Sequence, residues 1–355
     1  MGGEEPARTY LERAITAGKH VVTANKEVIA KHGPHLTHMA RRAGVELRFE
    51  ASVGGGIPIV GPLLRDLLAN DISSVRAIIN GTTNYILTRM ARDSLDFQVA
   101  LVEAQGLGYA EPDPTNDVEG IDAAYKLAIL ASLAFHTPIA YTEVFREGIT
   151  QLHPQDFRYA HELGYEIKLL AIARKQGSGI QARVHPALVP LGAPLAKIEG
   201  PNNAIEVHGD LLGPAVFSGQ GAGAAPTASA IMGDVLAVAR GAAEGQERGE
   251  GHGADLAPWP VLAIEPMAAL ETGYYLRLTV LDRAGVLARI ADVFGAHGIS
   301  LASVMQKDAD ATEGSAELVI TTHPGGEAAM QEAMADMRGL EVVRAVNSLL
   351  RVEPA

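Results

Sequence analysis

The stretch RTYLERAITAGKHVVTANKEVIAKHGPHLTHMARRAGVELRFE, residues 8–50, decides the fold class. Apolar side chains at Tyr10, Leu11, Ala14 and Ile15 recur at helical spacing and Gly18 offers a left-handed stop, so a helix is expected from Arg8 to Ala17. HVVTA is a β-branched run suited to a short buried strand, with a second helix expected from about Lys26 and a second strand between Val45 and Glu50. Helix, strand, helix, strand with short joints is the pattern of a parallel α/β sheet, whose ligands collect at the carboxyl ends of strands. Thr23 to Lys26 sit at such an end.

Downstream the pattern changes to a mixed α+β unit. It has glycine-rich turns at 54–56, an expected helix at 59–69, a long apolar helix at 121–135, a glycine-rich return at 219–223 and a helix at 227–239. The run GAAEGQERGEGHGADLAPWP, residues 241–260, is too rich in glycine, glutamate and proline to bury enough apolar surface, and reads as a linker. From Tyr274 the alternation gives a strand at 275–282, a helix at 285–297, strands at 299–307 and 316–322, a helix at 327–337 and a strand at 342–352. That order is βαββαβ. The expected units are therefore 1–50 with its return segment 219–243, then 51–218, a linker at 244–270, and 271–355.

A chain of 355 residues that is 47% hydrophobic can fill more than one core. The net charge of −13 without a basic run leaves phosphate-backbone binding no electrostatic footing, so nucleic acid is excluded as a partner. No run of about 20 apolar residues exists and the start lacks the pattern of an export signal, so a soluble, cytoplasmic protein without a membrane partner is expected. Zero cysteines exclude disulfides, thiolate metal sites and thiol nucleophiles. None of the twelve histidines forms a spaced metal pair.

The chemistry concentrates in GLGYAEPDPTNDVEGIDAAYKLAILASLAF, residues 106–135. After Lys126 its helix is apolar almost all round, the mark of a buried helix, and a buried ammonium is costly unless paired or at work. Asp122 stands four residues earlier on the same face. The pair alone reads first as a structural ion pair. Glu111, Asp113, Asp117 and Asp122 all precede this one lysine, however, and such a cluster suits a substrate that carries an ammonium while the lysine suits proton transfer to a carbonyl oxygen. Asp117 also reads as a helix cap.

The ordered strings VTANK, EASVGGGIPIV, NGTTNYIL, GYAEPDP and DVEGIDAAYKL resemble homoserine dehydrogenases over Gly18 to about Ala243. The resemblance implies interconversion of L-aspartate 4-semialdehyde and L-homoserine with NAD or NADP. Lys126 would be the proton donor and acceptor, with Lys26 a second lysine near cofactor and substrate. Glu111 and Asp122 would hold the substrate, Asp117 would orient it, and Gly108 would belong to the same loop. Thr23, Asn25, Lys26 and Gly223 would meet the cofactor. Two neighbouring lysines would also depress one pKa.

The resemblance implies a monovalent cation, most simply Na+, at Glu50, Val53, Gly55 and Ile57, although the residues by themselves read first as a tight turn. In Asn80-Gly-Thr-Thr-Asn84 a capping role for Thr83 or Asn84 is an equal reading. Aspartate-semialdehyde dehydrogenase chemistry is excluded because it needs a cysteine nucleophile. A catalytically inactive amino-acid sensor is the rival from another class.

The family opens with a strand, a glycine-rich turn and a helix that receive the pyrophosphate, and the 25 residues before Lys26 are too few for that unit, so an N-terminally truncated, incomplete Rossmann-like unit is expected. The βαββαβ unit resembles an ACT domain, with Asp282 and Gly285 at the turn into its first helix. Ala284 replaces the commoner proline there. The resemblance implies an effector amino acid, L-threonine, at that turn, and a homo-oligomer; a dimerisation module without a ligand is the alternative.

Overall fold

The computed structural model describes residues 2–243, 261–310 and 314–354. The first unit comprises α1 (Ala7–Thr16), β1 (Val21–Val22), α2 (Lys26–Ala43) and β2 (Leu47–Arg48), and β1 and β2 pair in parallel with Val21 opposite Leu47. Gly18 turns the chain after α1 at φ 69°, and Gly44, at φ 64°, ends α2. Asn25 starts α2, its side chain accepting the N–H of Val28 at 2.9 Å.

The central unit contains β3 (Ile72–Ile78), α3 (Gly81–Asp93), α4 (Phe97–Gly106), α5 (Thr115–Val118), α6 (Ile121–Phe135), β4 (Phe145–Arg146), α7 (Pro154–Glu162), β5 (Tyr165–Gln176), β6 (Gly179–Pro190), β7 (Asn202–Gly209), β8 (Gly213–Gln220) and α8 (Ala224–Ala243). Strands β6, β5, β3, β7 and β8 are neighbours in that order, each pair antiparallel. Helix α6 lies on this sheet with its residues from Leu127 to Phe135 buried, as its all-round apolar sequence requires.

The expected helix at 59–69 is present but shorter and wider: Leu63 N–H donates to the Ile59 carbonyl at 3.1 Å, and over Pro62–Asp66 the turn widens so that Leu67 N–H donates to the Pro62 carbonyl at 2.9 Å. Glu50 caps its start. Its carboxylate accepts the backbone N–H groups of Ile59, Val60 and Gly61 at 2.7, 2.8 and 2.7 Å, and Pro62 has no N–H to give.

The C-terminal unit runs β9 (Ala263–Ile264), β10 (Glu271–Leu281), α9 (Val286–Ala296), β11 (Leu301–Asp310), β12 (Ser315–Thr322), β13 (Gly325–Gly326), α10 (Glu327–Gly339) and β14 (Val343–Val352). Apart from the two-residue strands β9 and β13 this is the expected βαββαβ order, with sheet order β11-β12-β10-β14 and its own core around Leu276, Ile290, Phe294 and Met334.

This unit does not merely hang from a linker. Strand β14 runs parallel to β6, with Arg351 opposite Ala187, so the two sheets are continuous among the described residues. Of the expected linker, 244–260 lies outside the described residues, whereas β9 pairs with β6 and Glu265 N–H donates to the Ile180 carbonyl at 2.8 Å. Buried ion pairs close the seam: Arg277 on Asp156 at 2.7 Å and Arg183 on Glu353 at 2.9 Å. Such pairs gain little over an apolar seam, but removing one partner strands a buried charge.

Candidate active site

Three elements converge at one end of the central unit: the N-terminus of α2, the turn between β3 and α3, and the α5–α6 segment. Asp122, in the first turn of α6, is 3% exposed. Its Oδ1 pairs with the Lys26 ammonium, and its Oδ2 accepts from Lys126 Nζ at 2.7 Å and from Asn80 Nδ2 at 2.9 Å. Burial alone would raise the Asp122 carboxyl, but Lys126 and Lys26 together outweigh it and hold it at about 2. One buried carboxylate thus ties together two ammonium groups from different helices.

Lys126 Nζ also donates to the Ile79 carbonyl at 2.7 Å. An ammonium has three N–H bonds. Two are directed into the protein, which fixes the orientation of the third.

Lys26 departs from expectation. Burial would lower its ammonium, yet Asp122, Asp117 and Glu111 overcome that and hold it above its ordinary value. The expected depression by a neighbouring lysine is therefore not what governs Lys26.

Asp117, in α5, accepts from Asn80 Nδ2 at 2.6 Å. Burial pushes its carboxyl up, against the hydrogen bond from Asn80, and the nearby Asp122 charge pushes in the same direction as burial. It is not a helix cap: Pro114 precedes α5, and Gly120, at φ 72°, precedes α6. Glu111 is exposed on the loop before α5, with its carbonyl held by Gln105 Nε2 at 3.1 Å, and Gly108 turns that loop at φ 77°. Asp113 is exposed, its carboxylate accepting from Thr115 Oγ1 at 2.6 Å.

Sequence reading missed Asn80. One of its two readings placed the cap of α3 at Thr83 or Asn84, but Asn80 Oδ1 accepts the Thr83 N–H at 2.8 Å while Nδ2 reaches both aspartates. Asn84 instead donates to the carbonyls of Ile198, Gly200 and Asn202. The legible signal was an asparagine directly before a helix; that its amide would face two carboxylates was not.

Thr23 and Asn25 stand at the carboxyl end of β1. Thr23 Oγ1 accepts the Asn25 N–H at 3.1 Å, and Asn25 Nδ2 donates to the Gly3 carbonyl at 2.7 Å. The side chain of Asn25 is therefore engaged within the chain. Gly223 adopts φ 117° at the start of α8, and the return segment packs so tightly on the 54–56 turn that a Cβ on Gly55 would lie 2.4 Å from the Gly221 carbonyl oxygen.

In that turn Gly54 and Gly55 both take left-handed conformations, at φ 72° and 59°. Among the described residues, the carbonyls of Val53, Gly55 and Ile57, all in buried residues, accept no backbone N–H, whereas the Glu50 carboxylate is already bonded to three. Unbonded buried carbonyls are the donor set a hard cation takes. No side-chain cluster of histidine, aspartate and glutamate suited to a metal occurs among the described residues. Asp282 and Gly285 are exposed at the turn into α9, where Asp282 N–H donates to the Gly314 carbonyl at 3.0 Å and Gly285 has φ 87°.

Comparison with known proteins gives concordant matches. A family model described as homoserine dehydrogenase matches residues 58–236, one described as the homoserine dehydrogenase NAD binding domain matches 1–50, and the ACT domain model matches 274–342. The homoserine dehydrogenase of Mycobacterium tuberculosis is 44% identical over 99% of this chain and 81% of its own length, and that of Pseudomonas aeruginosa is 43% identical over 99% and 82%. Among solved structures, a homoserine dehydrogenase from Thiobacillus denitrificans superposes with a TM-score of 0.94 at 43% identity, over 99% of this chain and 80% of that one. A hyperthermophilic archaeal homoserine dehydrogenase in complex with NADPH gives 0.60 at 30% identity, over 68% of this chain and 70% of that one.

Proposed function

Because the chain belongs to the homoserine dehydrogenase family, we propose that in its NAD(P)-dependent interconversion of L-aspartate 4-semialdehyde and L-homoserine, Lys126 carries the proton. The observation behind this assignment is Asp122 held between Lys26 and Lys126. In reduction the third N–H of Lys126 points to the aldehyde oxygen and passes its proton there; in oxidation the amine takes the hydroxyl proton back. The nicotinamide, when bound, supplies or accepts the hydride.

Glu111 and Asp117 face the substrate ammonium, and Gly108 leaves their loop open. Asp122, with both oxygens engaged, reaches a substrate ammonium only when Lys26, whose side chain is 44% exposed, swings aside. Thr23, Asn25, Lys26 and Gly223 border the cofactor at the end of β1. The carbonyls of Val53, Gly55 and Ile57 hold a monovalent cation, for which Na+ is the first choice, while Glu50 shapes the turn through its bonds to the 59–61 amides. L-Threonine binds at Asp282 and Gly285. The chain acts in the cytoplasm as a homo-oligomer; the exposed Val216 on the outer strand β8, with the exposed Leu211 and Leu212 in the turn before it, supports the assembly. No helix among the described residues is long and apolar enough to cross a membrane.

The test is NAD(P)+ reduction with L-homoserine by the wild-type chain and by Lys126→Met. The variant should fold and lose turnover by at least about a hundredfold, the usual scale of a lost general acid–base group. Near-normal turnover would remove Lys126 from the chemistry.

A further inference from the structure

The seam between the C-terminal and central units ends in the active site. Arg351, 2% exposed on β14, grips Glu327 of α10 with two hydrogen bonds of 2.8 and 2.6 Å. Its remaining nitrogen, Nη1, donates to Glu147 at 2.7 Å, and its guanidinium lies over the Phe145 ring. Glu147 follows β4, its N–H bonded to the Val184 carbonyl of β6 at 2.9 Å. The next two residues meet the backbone between the site's two aspartates. Ile149 N–H donates to the Val118 carbonyl at 2.9 Å, and a Cβ on Gly148 would lie 2.5 Å from that same oxygen. Val118 follows Asp117 directly, and Gly120, whose own Cβ would press on Val184 at 3.1 Å, hands the chain to α6 and Asp122.

The links from Arg351 through Glu147 and Ile149 to Val118 are hydrogen bonds, and Gly148 lies too close to the Val118 carbonyl to carry a side chain. A shift of α10 or β14 therefore has a rigid route to Asp117 and Asp122. Glu147, with its side chain 39% exposed, joins the two units through a single hydrogen bond to Arg351. The charge it meets is substantial, because burial opposes the Arg351 guanidinium while Glu327 and Glu147 hold its pKa up.

We propose that Glu147, held by Arg351, is a positioning residue for the substrate carboxylates, and that the Arg351–Glu147 pair is the joint through which the C-terminal unit sets substrate affinity. This rests on the reading that Asp117 and Asp122 belong to the substrate site. Glu147 touches neither substrate nor cofactor in it; its effect runs through Gly148 and Ile149 onto the α5–α6 turn. A sparse mechanical route of this kind is a claim about coupling, and only a coupling measurement decides it.

The experiment uses the full chain carrying Glu147→Gln, which conserves shape and removes the charge. Its KM for L-homoserine should rise about three- to tenfold, the range of couplings of this kind, with KM for the nicotinamide cofactor and the melting temperature unchanged. Amide hydrogen exchange across residues 115–121 should quicken severalfold while β5 keeps its protection, a readout that needs no turnover. Glu147→Asp should recover part of both effects. Unchanged exchange at 115–121, or equal increases in both KM values, overturns the proposal. A wild-type chain that does not oxidise homoserine defeats the functional reading instead, and the exchange result then decides the mechanical link alone.

Discussion

Asn80 Nδ2 stands 2.9 Å from Asp122 Oδ2, the same oxygen that accepts from Lys126. A neutral amide therefore shares a carboxylate oxygen with the proposed proton carrier, and its own oxygen caps α3.

Replacing that amide separates two roles. Asn80→Ala should cost about 1 kcal/mol of stability from the lost cap and also reduce kcat/KM for homoserine on the order of tenfold or more, because Asp117 and Asp122 lose the donor that fixes them. Urea denaturation beside steady-state kinetics measures both. A stability loss with unaltered kcat/KM would make Asn80 a cap and nothing else.

The depressed carboxyl of Asp122 predicts a pH dependence with a definite sign. Its folded-state value, about 2, lies below the ordinary 3.8, so it stabilises the fold above the ordinary value and loses that contribution as pH falls from about 4 through 2. The shift corresponds to roughly 2 kcal/mol. Asp122→Asn should be less stable at neutral pH and should flatten the stability curve between pH 4 and 2 relative to wild type; calorimetry at a series of pH values, with parallel curves for the two proteins, would count against the linkage.

Glu50 supplies a third outcome. Glu50→Gln places an amide donor against N–H groups that now share a carboxylate, and should lower stability by about 2 kcal/mol. If the neighbouring carbonyls hold a cation, the wild-type melting temperature should be higher in sodium chloride than in tetramethylammonium chloride at equal ionic strength. Identical melting in the two salts would leave the 50–57 turn as a turn.

At the other end, deleting the chain beyond residue 270 is not a clean way to remove an effector response. It would strand Asp156 and Arg183, which are 0% and 3% exposed, without Arg277 and Glu353. Loss of such partners costs on the order of 3–5 kcal/mol each. The deleted form should precipitate or melt early in a thermal scan, whereas Asp282→Ala should stay folded and weaken L-threonine binding about tenfold by calorimetry. Wild-type affinity in Asp282→Ala would move the effector away from that turn.

What the sequence disclosed was periodic or local. The bounds of α6 follow from its unbroken apolar run, the Asp122–Lys126 pair from a spacing of four, and the βαββαβ order from alternation between turns. Hidden from it were relations between residues far apart in the chain. Nothing near Asn80 announces that its amide will meet a helix more than thirty residues on, and nothing near Glu50 announces that it will cap the free N–H groups at 59–61. The seam was unreadable for the same reason: Asp156 reads as an ordinary first-turn acid of α7, and only tertiary packing brings Arg277, Tyr275 and Ser348 onto it.

The parallel junction of β14 with β6 also bears on how the molecule comes to be assembled. Arg183 is made some 170 residues before the glutamate that neutralises it, so during synthesis β6 must wait with a guanidinium and an unfilled strand edge until residue 353 has left the ribosome. Long-separation pairings of this kind are slow, because chain closure comes before any contact rewards it. The nascent chain is therefore at its most aggregation-prone when its central sheet is nearly finished, and a chaperone that shields the β6 edge would act at that stage.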